Sequence, residues 1–351
     1  MAQENLQIVL AERPEGDIIP GQTFHQKITP APTADDLKDG EILIENIYLS
    51  LDPAMRGWLN DKRSYLPPIP IGGVMRGLSI ARVIASKNNS YKAGDIVRAM
   101  PGWTEYAVVN PSTPGACELV ANSDHLPDHL SVLGTTGLTA YFGMLRIGEP
   151  KPGDLVVVSG AAGATGSVAG QIAKLKGARV IGIAGGEDKV KWLVDELGFD
   201  AGLNYKDPDF KAKFKELTKD HIDVYFDNVG GEILDMALGQ AKPFSRFVMC
   251  GGISQYNTTN VQGPKIFQNI LNVISMRIKM QGFIVLDFVK EFAAARDELA
   301  EWLNAGKIKR KETIVKGGLK GAEQALVDLF KGANTGKMIV EIKNPQELPK
   351  L

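Results

Sequence analysis

The sequence predicts an α/β protein in which a doubly wound parallel sheet is joined to a small, partly open β-barrel. First, the continuous apolar run Leu155 to Val158 reads as a parallel strand covered on both faces. It leads straight into a turn with Gly160, Gly163 and Gly166 at three-residue spacing, and then into a helical pattern. Second, residues 1 to 127 carry short β-prone runs broken by turn chemistry, whereas strand and helix alternate from Leu155 onward. Third, 351 residues are long for one domain.

Each element follows in chain order. Glu41–Tyr48 alternates apolar and polar residues like a half-buried strand. Leu78–Ala85, Ile96–Met100 and Tyr106–Val109 are further short strands, punctuated by Gly72-Gly73, Ala93-Gly94-Asp95 and Pro101-Gly102. Near His125–Leu133 the pattern turns helical. After the glycine turn, Ser167–Lys176 reads as a helix with Val168, Ile172 and Leu175 on one face, and Val180–Ile183 as the next strand. Strand, glycine turn, helix and strand make a dinucleotide-binding βαβ unit: glycines let the backbone approach a pyrophosphate, and N–H groups at the helix start hold its charge. Ile222–Phe226 is a strand ending at Asp227-Asn228-Val229-Gly230-Gly231, with a helix from Glu232 to Gln240. Arg246–Cys250 ends at Gly251-Gly252, Lys279–Val285 is another strand, and Phe288–Asn304 an amphipathic helix. Gly336–Lys343 returns to strand and rejoins the N-terminal barrel, which makes that domain discontinuous: 1–127 with 317–351, around 128–316.

Lys plus Arg (40) balance Asp plus Glu (41), so no global charge points to nucleic acid or a membrane surface. The runs Lys206–Lys219 and Lys307–Lys311 read as solvated faces. No apolar stretch has the length of a membrane span, and Glu4, Glu12 and Arg13 sit where a secretory core would lie. The two cysteines, Cys117 and Cys250, are far apart and form no disulfide framework. A reduced, cytoplasmic setting is the expectation.

The segments Tyr48–Gly57 (YLSLDPAMRG), Gly163–Lys176 (GATGSVAGQIAKLK), Asp227–Glu232 (DNVGGE) and Cys250–Asn257 (CGGISQYN), in this order, resemble the zinc-independent medium-chain dehydrogenase/reductases. The subgroup they resemble is the NADPH-dependent alkenal/one oxidoreductases, which includes prostaglandin reductases, plant double-bond reductases and curcumin reductases. The resemblance covers nearly the whole chain and implies a GroES-like catalytic barrel, a Rossmann-type cofactor domain and a homodimer. Zinc enzymes of the superfamily need a catalytic Cys/His set, and many add four closely spaced cysteines. Here the cysteines are isolated, and the i, i+4 pair His125/His129 encloses Pro127, which reads as a solvated linker. No metal is expected.

The cofactor reading turns on the end of the second strand. An NAD-specific fold places an acid there, about twenty residues after the glycines, to hold the ribose 2′-OH. Ile183-Ala184-Gly185 has none; Glu187 and Asp188 come slightly later as possible substitutes, and Lys189 follows as a point charge for a 2′-phosphate. The resemblance implies that Lys189 and Tyr205 contact that phosphate, so NADPH is expected. The turn Gly163, Ala164, Thr165 and Gly166 would hold the pyrophosphate. The resemblance adds Asn228, the run Cys250, Gly251, Gly252, Ile253, Ser254, Gln255 and Tyr256, then Phe283, Ile284 and Val285, and Asn334. Asn228 and Gly251 lie just beyond the carboxyl ends of strands, where open α/β sheets bind ligands.

Reducing an enone by hydride transfer to its β-carbon needs positioning and a donor for the developing enolate oxygen. A phenol donates there without ionising, and Tyr256 is the candidate, with packing over the nicotinamide as the alternative. In the plant reductases that the chain resembles, the tyrosine of the same Ser-Gln-Tyr-Asn setting has this role. Tyr48, Ser50, Asp52, Ala54 and Tyr65 are substrate-pocket candidates; many relatives carry an aromatic residue at position 54, and Ala54 faces either substrate or core. Trp58 and Trp103 are apolar-wall candidates, and Arg56 reads as structural. The substrate implied is a small enone or enal; a quinone reductase and a non-catalytic NADPH-binding protein are the alternatives.

Overall fold

The computed structural model describes residues 3–120, 125–258 and 267–347. The β-prone runs and the alternating pattern fall in different units: Met1–Leu130 with Glu312–Leu351, and Ser131–Lys311. In the first lie β1 (Glu4–Leu10), β2 (Phe24–Pro30), β3 (Ile42–Ser50), β4 (Ser79–Ser86), β5 (Ile96–Ala99), β6 (Tyr106–Val109) and β7 (Cys117–Leu119). In the second lie β8 (Leu155–Val158), β9 (Arg179–Ala184), β10 (Ala201–Asn204), β11 (Ile222–Asp227), β12 (Ala241–Met249) and β13 (Lys279–Gly282). The chain then returns to the first unit with β14 (Glu312–Val315) and β15 (Lys337–Glu341).

The first unit's larger sheet runs β14-β15-β3-β4-β5-β7, with β6 also paired to β3, while β1 and β2 form a separate ribbon. β15 lies antiparallel to β3, Val340 opposite Leu49 and Glu341 opposite Tyr48, so the C-terminal strand does rejoin the N-terminal half. β3 is not half-buried: all nine residues are buried. Its polar side chains are matched inside instead, Glu45 with Arg82 (2.7 Å) and Lys343 (2.6 Å), and Asn46 with the Thr104 carbonyl (2.7 Å). Two other expectations change. Trp103 is no pocket wall but fully buried core, its ring stacked on Phe24 at 5.5 Å. The segment Leu126–His129 is a 3₁₀ turn whose Pro127, Asp128 and His129 are buried, so the His125/His129 region is packed rather than solvated.

The second unit's six strands are all parallel, in the order β10-β9-β8-β11-β12-β13. This is the doubly wound Rossmann arrangement, and its order reverses between β8 and β11, where the crevice for a ligand opens. The apolar run of β8 feeds two cores: Val156 and Val158 join one cluster, Leu155 and Val157 the other. Boundaries shift for local reasons. The helix after the glycine turn spans Ala164–Leu175, starting three residues earlier than the periodicity suggests because Gly163 caps it. β13 ends at Gly282, and Val285–Glu291 is a 3₁₀ segment that departs from helical angles at Phe288, whose ring stacks on Phe142 at 4.5 Å. The α-helix therefore begins at Phe292, not Phe288, and runs to Asn304. No helix among the described residues is long and apolar enough to cross a membrane.

Candidate active site

The loops after β8, β9, β11, β12 and β13 all leave from the carboxyl edge of the parallel sheet. Gly160 opens the first with φ +57°, a conformation that favours glycine. A Cβ on Gly166 would stand 2.4 Å from the Gly160 carbonyl oxygen and 2.8 Å from Ala161 Cα, so only glycine lets the helix start lie this close to the turn. Gly163 caps that helix without a side chain, leaving the first-turn N–H groups of Ala164, Thr165 and Gly166 uncapped by any side chain. An anion is the partner such a terminus takes, and the cradle fits a pyrophosphate.

At the end of β9 the residue that would have to be acidic for NAD is Gly185. A Cβ there would meet Tyr205 Cε1 at 2.7 Å and its hydroxyl at 2.9 Å, so the Tyr205 ring occupies that space. Glu187, the later acid, is engaged at Oε1 by Asn204 Nδ2 (2.8 Å), while Asn204 Oδ1 accepts from the Gly186 and Lys206 N–H groups (3.1 Å each). Lys189, in the first turn of the helix Glu187–Asp195, is half-buried. Burial, then the neighbouring Lys206 ammonium, hold its pKa below the ordinary lysine value. Lys206 Nζ lies 5.9 Å from the Tyr205 ring centroid. Two neighbouring cations, one of them over an aromatic ring, carry the chemistry that suits a phosphate next to a planar base. Lys206, read in the sequence as part of a solvated face, belongs here; its adjacency to Tyr205 was the available signal.

Between these ends lies a buried polar floor that the sequence reading passed over. Asp227, fully buried at the end of β11, accepts at Oδ1 from Ser159 Oγ (2.8 Å), Tyr225 OH (3.2 Å), Val229 N (3.0 Å) and Gly230 N (2.9 Å). Burial nevertheless pushes its carboxyl above the usual carboxylate range. Asn228 is tied to the same floor, its Nδ2 donating to the Ser159 carbonyl (2.7 Å) and its N–H to Ser159 Oγ (2.9 Å).

The loops after β12 and β13 frame a cavity of about 500 Å³, lined by Met249, Cys250, Gly251, Gly282, Phe283, Ile284 and Asp287. Burial, then the Asp227 carboxylate, push the Cys250 thiol up to about 12, so Cys250 lines the wall as a thiol and not as a nucleophile. Val285, one residue beyond the lining, is buried core. Ile253–Gln255 form a 3₁₀ turn fastened by Ser254 Oγ to the Val229 carbonyl (2.6 Å). That turn presents Tyr256, whose hydroxyl accepts from the Gly252 N–H at 3.1 Å. A Cβ on Gly251, itself a lining residue, would lie 3.2 Å from the same oxygen, so the phenol packs against the loop that lines the cavity.

The first unit carries the remaining candidates. Tyr48 and Ser50 are buried, and Ser50 Oγ donates to Asp52 Oδ2 (2.6 Å). Asp52 in turn pairs with Lys337, whose side chain is 2 % exposed and also donates to the Leu51 carbonyl (2.9 Å). Ala54 is half-buried and absent from the core, directly before two buried residues, Met55 and Arg56. Arg56 is structural, donating to the carbonyls of Pro14 and Gly16 and to Asn60 Oδ1. Tyr65 is exposed, and its hydroxyl accepts from Trp58 Nε1 (3.1 Å). Asn334 is buried with its amide donating to the Gly336 carbonyl (2.7 Å). Among the described residues, one group of possible metal ligands converges, His125, Asp128 and Glu312, and it contains no cysteine.

Two family profiles match the chain. One, described as the N-terminal domain of oxidoreductase, covers residues 6–116, and the other, described as zinc-binding dehydrogenase, covers residues 164–301. The chain is 38% identical to an NADPH-dependent curcumin reductase of Escherichia coli over 97% of each chain. It is 37% identical to a 2-alkenal reductase (NADP(+)-dependent) of Nicotiana tabacum, over 86% of this chain and 87% of that one. The crystal structure of CurA from Vibrio vulnificus in complex with NADPH superposes with a TM-score of 0.90 at 40% identity, covering 97% of this chain and all of CurA.

Proposed function

The chain belongs to the zinc-independent medium-chain dehydrogenase/reductases, within their NADPH-dependent alkenal/one reductase subgroup, and from that membership we propose that it reduces the carbon–carbon double bond of α,β-unsaturated aldehydes and ketones. The observation that carries the reading is the Tyr256 hydroxyl held by the Gly252 N–H, in the loop whose Cys250 and Gly251 line the cavity beyond β12 and β13. NADPH held along the carboxyl edge of the sheet supplies the hydride that the β-carbon accepts. Tyr256 donates to the carbonyl oxygen, where charge builds in the transition state. Its own oxygen accepts from Gly252, which polarises the O–H and makes it a better donor. Gly160–Gly166 hold the pyrophosphate, Lys189 and Lys206 the 2′-phosphate, and Asn228 the middle of the cofactor.

The test is NADPH consumption with small enones, aliphatic enals, quinones and saturated ketones. Turnover of the first two and not of the last is expected. Cofactor binding without consumption of any acceptor overturns the reading, and reduction of quinones alone replaces it with a quinone reductase. We also propose a cytoplasmic homodimer: β13 is an edge strand, and Phe244, Leu271 and Ile274 are exposed apolar residues of the same unit. Light scattering reports the mass, and a monomer at micromolar concentration refutes the dimer.

A further inference from the structure

We propose that Asp227 is a positioning residue for hydride transfer, a single buried side chain that fixes the ends of β8, β11 and β12 relative to one another and, through them, Asn228 and Tyr256. The connections are direct. Asp227 Oδ1 gathers the Ser159 hydroxyl from the end of β8 and the Val229 and Gly230 N–H groups of its own loop. Its backbone carbonyl accepts from the Cys250 and Gly251 N–H groups (2.9 Å each) at the end of β12. Ser159 Oγ passes the anchorage on to the Asn228 N–H, and the Asn228 carbonyl accepts from Ile253 N (3.2 Å). One residue past Gly251, Gly252 donates to the Tyr256 hydroxyl.

The distribution of these bonds argues for function over stability. Oδ1 takes four donors while Oδ2, equally buried, has no hydrogen-bond partner among the described residues. A carboxylate desolvated in this way is costly, and a site selected for stability alone would share the donors or dispense with the charge. Burying it under the loops that face the cofactor makes sense where loop geometry matters more than fold stability. The chemistry needs this, because misplacing a reacting group by about 1 Å costs up to about 100-fold in rate.

The proposal rests on the NADPH half of the functional reading and not on the acceptor. Asp227→Ala, Asp227→Asn and Ser159→Ala are compared with the wild type for NADPH binding without acceptor. KM, kcat and the deuterium isotope effect with 4-deuterated NADPH are then measured using whichever acceptor the wild type reduces. Asp227→Ala is expected to weaken NADPH, lower kcat/KM about 100-fold and enlarge the isotope effect. Asp227→Asn keeps an acceptor at Oδ1 and is expected to recover most of the loss, and Ser159→Ala to show a smaller change of the same kind. If Asp227→Ala fails to fold, Ser159→Ala decides. Wild-type binding, kinetics and isotope effects in the folded variants, with only the melting temperature lowered, overturn the proposal. Failure of every acceptor removes the enone reading alone, because the binding comparison still stands.

Discussion

Replacing Lys189 with Ala should turn a protein that prefers NADPH into one that scarcely distinguishes it from NADH. Lys189 is half-buried, and burial and Lys206 both disfavour its charge before any ligand arrives. A phosphate beside it reverses that balance. Two unit charges 4 Å apart are worth about 4 kcal/mol at an effective dielectric constant near 20. Partial exposure and the desolvation of the phosphate take back roughly half, leaving about 2 kcal/mol, or about 30-fold in Kd. Lys206 is exposed, so Lys206→Ala should cost only about 0.5 kcal/mol, close to twofold. NADH carries a hydroxyl in place of the phosphate and should change less than about twofold with either variant.

The assay is the Kd of each nucleotide by fluorescence titration, with Lys189→Arg as the charge-conserving control. Because the pKa of Lys189 is lowered in the free protein, NADPH affinity is present in full below that pKa and declines as pH rises through it, earlier than for an exposed lysine. NADH affinity stays flat across that range. Equal weakening of both nucleotides by Lys189→Ala, or a pH dependence shared by both, would refute the assignment.

Tyr256→Phe should lower kcat about 100-fold while NADPH binding stays near wild type, since the substitution removes the donor to the developing enolate oxygen and keeps the ring; unchanged turnover removes Tyr256 from the chemistry. Lys337→Met should cost about 3 kcal/mol of stability, read as a lowered melting midpoint, because Asp52 loses its buried partner; an unchanged midpoint shows that the pair contributes nothing. Gly166→Ala should abolish nucleotide binding in gel-filtered protein, since the new methyl would sit 2.4 Å from the Gly160 oxygen; retained affinity means that the turn relaxes more than its packing suggests.

The parallel half of the fold was legible because its signals are local: four consecutive buried β-branched or leucine residues, then glycines at fixed spacing, have few other solutions. The burial of β3 was not legible, because what covers it, β15 and β4, comes from up to nearly three hundred residues away, and Glu45 and Asn46 read as surface until Arg82, Lys343 and Thr104 are brought to them. The same holds for Trp103, which reads as a loop aromatic and is core because β2 brings Phe24 against it. Within the site, residues on the glycine turns could be named from motif spacing. Ser159 and Asp227 could not be paired, because their contact depends on β8 and β11 being neighbours, a fact of sheet order.

That difference also explains how the cofactor preference is built. The sequence shows only an absence, the missing acid at the end of β9, and an absence by itself permits either nucleotide. Three contacts make it a preference. Gly185 leaves space that Tyr205 fills, so a side chain placed there would have to displace the ring before it reached a ribose. Asn204 engages Glu187, the nearest acid that might otherwise accept from a ribose 2′-OH. Lys206 follows Tyr205 directly, so the strand end that delivers the ring also delivers a second cation beside Lys189. Asn204, Tyr205 and Lys206 are consecutive at the end of β10, the strand that pairs with β9 through Asn204 and Ala184. On the proposed assignment, discrimination between the nucleotides would rest on the strand next to the one where the acid is missing, and a substitution at Gly185 alone would leave that second strand's contributions in place.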